Sequence, residues 1–260
     1  MPKPYRGGKG ASGAPVINNA QPAVDNTPPV IDTTQPTNNI SPSYQAFLSM
    51  TDDDKADAIS KAFGTDVPSF LSNSDFQKLT YALKLNDKPT LVDDKTLDQM
   101  AGVDLYRTVN ATKDTINRMT FDATDIASQI LKGSVTRVSD TGGSAYGRGL
   151  YFANSYREST VYYGNTTGNI KQTAVVRGKL NANAKVISAS QALSSARAEI
   201  ASGSRLGNVL ARADRHSQRS IWALAKGYNV MVDNSSGYYV VLNRTALTMS
   251  DQIKAKGSKW

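Results

Sequence analysis

Apolar residues fall at helical spacing in two short stretches early in the chain and give way to a mixed pattern after Asp104. In the first stretch Ala56, Ile59, Ala62 and Phe63 share one face; Thr51 and Asp54 form a capping-box start, and Gly64 marks the stop. In the second, Ser74 and Gln77 open a helix lined by Phe76, Leu79 and Leu83, which Asn86, Asp87 and Pro89 end. Helices this short are marginal in water, so the pattern predicts that they lie against the domain that follows. Beyond Asp104, LYRTV reads as a strand. A helix follows with Ile116, Met119, Ala123, Ile126, Ala127 and Ile130 on one stripe, ended by Gly133. Strand candidates recur as VTRVS, GLYFA, TAVVRGKL, AKVIS, YNVMV and YYVVLN. One long helix is predicted from about Arg205 to Lys226, stopped by Gly227, and DNSSG forms a turn between the last two strands. There is no internal repeat and no regular βαβ alternation, which predicts an α+β domain with a mainly antiparallel sheet.

Composition divides the chain further. Residues 1–43 are rich in Pro, Asn, Thr and Gly with few large apolar side chains, and are expected to form a disordered arm, either a tether or a docking peptide. Residues 44–100 form a small helical region, and 101–260 hold the main domain. With no cysteine, disulfides, thiolate metal sites and cysteine nucleophiles are excluded; with His216 as the one histidine, the usual base of a hydrolase triad and the usual zinc ligands are missing. No stretch approaches the roughly 18 apolar residues of a membrane span, and MPKPYRGGKGASG has no signal-peptide core, so a soluble, non-secreted chain is expected. The net charge of +8 favours an anionic partner, a dinucleotide, a nucleic acid or an acidic protein.

The segment Gly142–Gly164, GGSAYGRGLYFANSYRESTVYYG, is the most informative. Glycines at 142, 143, 147 and 149 permit close backbone approach ahead of an aromatic strand that carries Tyr151. Ser159 and Tyr162, three apart in a helix, project from one face. A serine and two tyrosines around a glycine-opened cleft suit a planar aromatic amide.

YGRGLYFANSYRESTVYY resembles the poly(ADP-ribose) polymerase-like signature of the ADP-ribosyltransferase family, over a region of about residues 103–250. The resemblance implies a split, two-sheet antiparallel fold that binds NAD as co-substrate. Tyr151 then flanks the nicotinamide, Ser159 bonds its carboxamide, Tyr162 stacks on the ring, and Gly149 belongs to the binding loop. The family's first strand carries a histidine or an arginine that orients ribose and phosphates, and Arg107 of LYRTV stands at that place; taken alone, a strand-end arginine is ordinarily a solvated charge. In polymerase-like members a glutamate precedes the last apolar strand, and here Tyr238 occupies that position. A carboxylate there would stabilise charge on the ribose as nicotinamide departs, which a phenol does poorly.

Asp233, Glu158 and Asp140 are the nearby acids that could substitute, although a turn, a solvated helix face and a loop tie are their ordinary roles. Arg137 could touch the phosphate side of a ligand, or lie exposed on an edge strand. Arg205, Arg212, Arg215 and Arg219 share one face of the long helix, a basic stripe that is usually solvated but is also the best docking place for an anion. The expectation is a mono-ADP-ribosyltransferase acting on a protein acceptor, with Arg107, Tyr238 and Asp233 as catalytic candidates. The alternatives are an inactive module of the same fold in a larger assembly, joined through its arm, and an RNA-binding protein resting on charge alone. The family has many viral members, so a bacterial host cytoplasm or a virion is the expected setting.

Overall fold

A computed structural model describes residues 42–260 apart from 69–70, 72, 86–87, 114–119, 134–144 and 162–168. The predicted arm, except its last residues, and the VTRVS strand lie outside the described residues. In chain order the elements are α1 (Pro42–Ser49), α2 (Asp52–Ala62), α3 (Asp75–Ala82), β1 (Thr90–Val92), α4 (Asp94–Gln99), β2 (Asp104–Asn110), β3 (Thr112–Lys113), β4 (Thr120–Phe121) and α5 (Ala123–Lys132). They continue as β5 (Leu150–Ala153), α6 (Tyr156–Thr160), β6 (Thr173–Leu180), β7 (Val186–Ser188), α7 (Ala189–Ala201), α8 (Arg205–Arg212), α9 (Arg215–Ala225), β8 (Val230–Asp233), β9 (Tyr238–Val241), β10 (Leu247–Ser250) and β11 (Lys254–Ala255).

Short polar side chains start the helices. Thr51 Oγ1 accepts from the Asp54 N–H at 3.1 Å to open α2, and Ser74 Oγ accepts from the Gln77 N–H at 3.2 Å to open α3. Each bond satisfies an amide that a first helical turn leaves unpaired. These helices are fastened to the later part of the chain. The Tyr44 hydroxyl donates to Leu224 O at 3.1 Å, and the Phe76 N–H donates to Ser217 Oγ at 3.0 Å. Tyr44, Phe47, Ile59, Phe76 and Leu79 share one apolar core with Leu206, Leu210, Ile221 and Leu224 of α8 and α9.

In place of the two antiparallel sheets that the resemblance implies, the main sheet is a single mixed one of nine strands, with order β1-β10-β6-β2-β5-β9-β8-β7 and β11 pairing with β6. Its interior ladders are antiparallel, while β1 runs parallel to β10 and β7 parallel to β8 at the two edges. Strand alternation divides its side chains between two cores. Leu105, Val109, Phe152, Val176 and Val241 meet Ile126 and Ile130 of α5 on one face. Met231 and Val240 turn to the other face and the core of α7–α9, with Tyr151 packed against it.

Several elements differ from the sequence expectation. The helix expected from Ile116 begins at Ala123, because Thr112–Lys113 and Thr120–Phe121 pair as a small hairpin; Ile116 and Met119 lie outside the described residues. Gly133, at φ 75°, ends it as expected. α3 stops at Ala82, short of Asn86, and Lys84 takes a left-handed φ of 52°. The long helix expected over 205–226 is two helices. Asp214 interrupts it, its carboxylate accepting the N–H groups of His216 and Ser217 at 3.2 and 3.0 Å and so beginning α9 anew. The sequence pattern does not predict α1, α4 or α7, nor strands β1, β3, β4, β10 and β11; α7 buries only Ala189, Ala192 and Ala196, residues too small to make a strong periodic signal. Among the described residues no helix is long and apolar enough to cross a membrane.

Candidate functional site

β2 and β5 are neighbours in the sheet, yet they pair at one register position, Tyr106 opposite Ala153. β5 pairs with β9 along its whole length, from Leu150 to Ala153. β2 does the same with β6, from Asp104 to Asn110. Each strand therefore stays with its outer partner, and the two part from each other between Thr108 and Tyr151. The backbone groups facing that parting need other partners. Arg107 supplies one, its Nη1 donating to Tyr151 O at 2.7 Å. At 7 % exposure Arg107 is buried, so the solvated strand-end charge of the ordinary reading does not describe it.

Alternation places Arg107 with Leu105 and Val109, and sends Tyr106 and Thr108 to the opposite face. There α6 lies across β2. The hydroxyls of Thr108 and Ser159 are 3.0 Å apart, and Ser159 Oγ donates to Tyr156 O at 3.1 Å. With the Ser159 proton on that carbonyl, Thr108 donates to Ser159, and each oxygen keeps an unfilled lone pair in a buried setting. Ser155 opens α6 by accepting the Glu158 N–H at 3.1 Å, which fixes the turn on which Ser159 sits.

Tyr151 closes its own loop. Its hydroxyl donates to Gly147 O at 2.6 Å and accepts from the Tyr146 N–H at 3.2 Å. Burial pushes the phenol up to about 12, against the opposing pull of the Tyr146 N–H and of the Arg219 and Arg148 charges, so it is neutral at physiological pH. The loop is held down on α9 by the Arg148 N–H, which donates to Ser220 Oγ at 2.7 Å. Glycine is required at two positions. A Cβ on Gly147 (φ 110°) would meet Met231 Cε and Ser220 Oγ at 2.7 Å, and one on Gly149 (φ 150°) would meet Val240 Cγ1 at 2.8 Å and Val241 O at 2.9 Å. The close approach made by Gly149 is therefore to strand β9.

Tyr238 begins β9 opposite Ala153 and Asp233. Its ring stacks on Tyr146, centroids 6.4 Å apart at 29°, and meets the edge of Tyr151 at 6.4 Å and 63°. Asp233 stands at the same end of the hairpin. Its carboxylate accepts from Ser235 Oγ at 2.7 Å, from the Ser236 N–H at 2.9 Å and from Ser236 Oγ at 2.5 Å. Slight burial raises the carboxyl, but hydrogen bonds from Ser236, Ser235 and Tyr146 outweigh it and hold Asp233 below the ordinary carboxylate range. Asp233 is thus both the turn former expected of DNSSG and an ionised group linked to the tyrosine cluster.

The remaining candidates separate. Glu158 and Arg157 are exposed on α6. Tyr162, Arg137 and Asp140 lie outside the described residues, and His216 is exposed in the first turn of α9. The expected arginine stripe is divided. Arg205 Nη2 donates to both carboxylate oxygens of Asp57 at 2.6 and 2.8 Å, and Arg212 donates to Ser60 Oγ at 2.9 Å, so these two fasten α8 to α2. Arg215 and Arg219 ride on α9 instead. Of the four side chains that the resemblance assigns to NAD, three are among the described residues and they do not meet at one point: Arg107 meets the backbone of Tyr151 from one face, Ser159 meets Thr108 on the other, and the Tyr151 ring joins Tyr146 and Tyr238. Thr108 and Tyr146 escaped the sequence reading; the place of Thr108 beside Arg107 in LYRTV was the available signal for one, and for the other an aromatic between the glycines of GGSAYGRG. Among the described residues no cluster of three or more His, Asp or Glu side chains is placed to hold a metal ion. Comparison with protein-family models, with curated proteins and with solved structures finds no match to this chain.

Proposed function

We propose that this chain is an NAD-dependent mono-ADP-ribosyltransferase with the split-sheet fold of that family. The carrying observation is the parting of β2 from β5, bridged by Arg107 and flanked by the Thr108–Ser159 hydroxyl pair. Two hydroxyl oxygens with open lone pairs can accept the amide N–H groups of nicotinamide, and the sequence resemblance assigns that role to Ser159. Arg107 ties the two strands together from the opposite face, and Tyr238 and Asp233 stand at the β9 end. In the reaction the C1′–N bond of NAD breaks, and its electron pair leaves with neutral nicotinamide. A nucleophilic side chain of the acceptor protein bonds to C1′, and its proton passes to water or to the Asp233 carboxylate. Asp233, ionised at neutral pH, is the acid in this reading that offsets the positive charge developing on the ribose.

The direct test is nicotinamide release from NAD by the purified chain, followed together with transfer of labelled ADP-ribose to host proteins. Release that falls at least about tenfold in Ser159→Ala supports the reading, and absence of any release under all acceptor conditions overturns it. One observation favours a second reading, a module that binds NAD without turnover: Tyr238 fills the expected glutamate position and is stacked on Tyr146. In that case NAD raises the melting temperature and no nicotinamide appears.

A further inference from the structure

We propose that Arg219, with Arg197 and Arg215 beside it, forms a binding site for a phosphate-bearing anion on the α7–α9 side of the Tyr146–Tyr151 loop. Arg219 is partly buried, and its Nε is inaccessible and makes no hydrogen bond. Its stem runs under the loop, where a Cβ on Gly147 would come within 3.0 Å of Arg219 Cγ. Among the described residues the groups that act on its charge are the Tyr151 hydroxyl, Arg197 of α7 and Arg215 of α9, and none of these is a carboxylate. Loss of solvent and repulsion from the two arginines weigh against the guanidinium, yet an arginine stays ionised in proteins.

The nearby acids are engaged elsewhere. Asp214 takes the Ser217 hydroxyl at 2.5 Å and the Asp75 N–H at 3.0 Å, with Arg148 Nε at 3.9 Å. Glu199 of α7 takes the Ser204 hydroxyl at 2.6 Å and Lys226 Nζ at 3.4 Å. Arg215 and Arg219, one turn apart on α9, repel each other, and Arg215 stands in the first turn, where the helix dipole disfavours a cation. Three neighbouring cations with no counter-charge among the described residues, one with its Nε shut off from water, lower their energy when an anion with several acceptor oxygens arrives. A phosphate or diphosphate fits, because planar guanidinium groups match its oxygens in pairs. The site shares no residue with the Thr108–Ser159 pair, and it does not depend on ADP-ribosyl transfer.

The test is calorimetric titration of the full chain with inorganic pyrophosphate, then with ADP and NAD to distinguish a free anion from a nucleotide. The expected result is saturable pyrophosphate binding, weakened at least about tenfold by Arg219→Met and by the double change Arg197→Glu with Arg215→Glu. The double variant alters exposed side chains, so it decides the matter if Arg219→Met fails to fold. No saturable binding by the unaltered chain, or an unchanged Kd in the double variant, overturns the proposal. Transfer activity is not used as a readout, so loss of the proposed function would leave this result standing, and the converse also holds.

Discussion

Arg107 Nη1 lies 2.7 Å from the carbonyl oxygen of Tyr151, across the point where β2 and β5 stop pairing. A guanidinium in this place replaces ladder hydrogen bonds that the parting strands no longer make, and it does so from a buried position. Arg107→Ala leaves the carbonyl without this donor and should destabilise the fold by about 1–3 kcal/mol, read as a lower midpoint in denaturant. Arg107→Lys should recover part of that loss, since an ammonium reaches one acceptor without the planar fork. Equal stability of all three proteins would remove Arg107 from this role.

The Thr108–Ser159 pair separates ligand binding from folding. Ser159→Ala loses the hydroxyl's contacts with Thr108 and with Tyr156 O and should reduce stability by about 0.5–1.5 kcal/mol. The rise in melting temperature on adding NAD should disappear, and a full NAD-induced rise in this variant would place nicotinamide elsewhere.

Tyr238 can be asked to become the acid that the resemblance expects. Tyr238→Glu sacrifices the stack on Tyr146, costing about 1 kcal/mol, and should raise nicotinamide release about ten- to a hundredfold if the cleft presents the ribose to this position. Unchanged release alongside retained NAD binding would show that position 238 does not face the sugar. Asp233→Asn should lower release in the unaltered chain, measured by chromatography of free nicotinamide.

Gly149 tests the packing of the glycine loop on β9. Gly149→Ala forces a Cβ to within 2.8 Å of Val240 and 2.9 Å of Val241 O at a φ of 150°. A loss of about 2 kcal/mol or more is expected, visible as an early melting transition, whereas a neutral effect would mean that the loop can lift without penalty.

Asp214 gives a pH dependence with a definite sign. Burial raises its carboxyl, but bonds from the Ser217 hydroxyl, the Asp75 and Ser217 amides, and the charge of Arg148 bring it below its ordinary value. A depressed folded pKa means that the contribution is fully present above the unfolded value of about 3.9 and is lost as pH falls through the folded one. Asp214→Asn should therefore weaken the protein at pH 7 by about 1 kcal/mol and flatten the acid end of the stability curve. An unaltered acid limb would show that another carboxylate governs it.

Much of the secondary structure could be read from the sequence because its causes are local. Thr51, Ser74 and Gly133 act within a turn of their own positions, and strands such as LYRTV, TAVVRGKL and YYVVLN carry enough large apolar side chains to reveal themselves. Where the local signal is weak the reading failed: the alanine face of α7, the brief β1 and β10, and the break at Asp214, where one capping carboxylate outweighed a continuous helical pattern. The candidate site was legible only as a set of names.

By itself the sequence determined which chemistry is available: no thiol, a single histidine, a glycine-opened aromatic segment, and tyrosine where the resemblance calls for glutamate. It also settled the mixed α and β character, since periodicity is written residue by residue. The tertiary structure alone decided which groups meet. Alternation along β2 sends Arg107 and Thr108 to opposite faces, and the parting of β2 from β5 turns one of them into a bridge and the other into the partner of Ser159. The arginines of 205–219 were divided in the same way, two to α2 and two to α9. Such pairings join residues distant in the chain, and their energies depend on burial and on the presence or absence of an opposite charge, which spacing along a sequence does not encode.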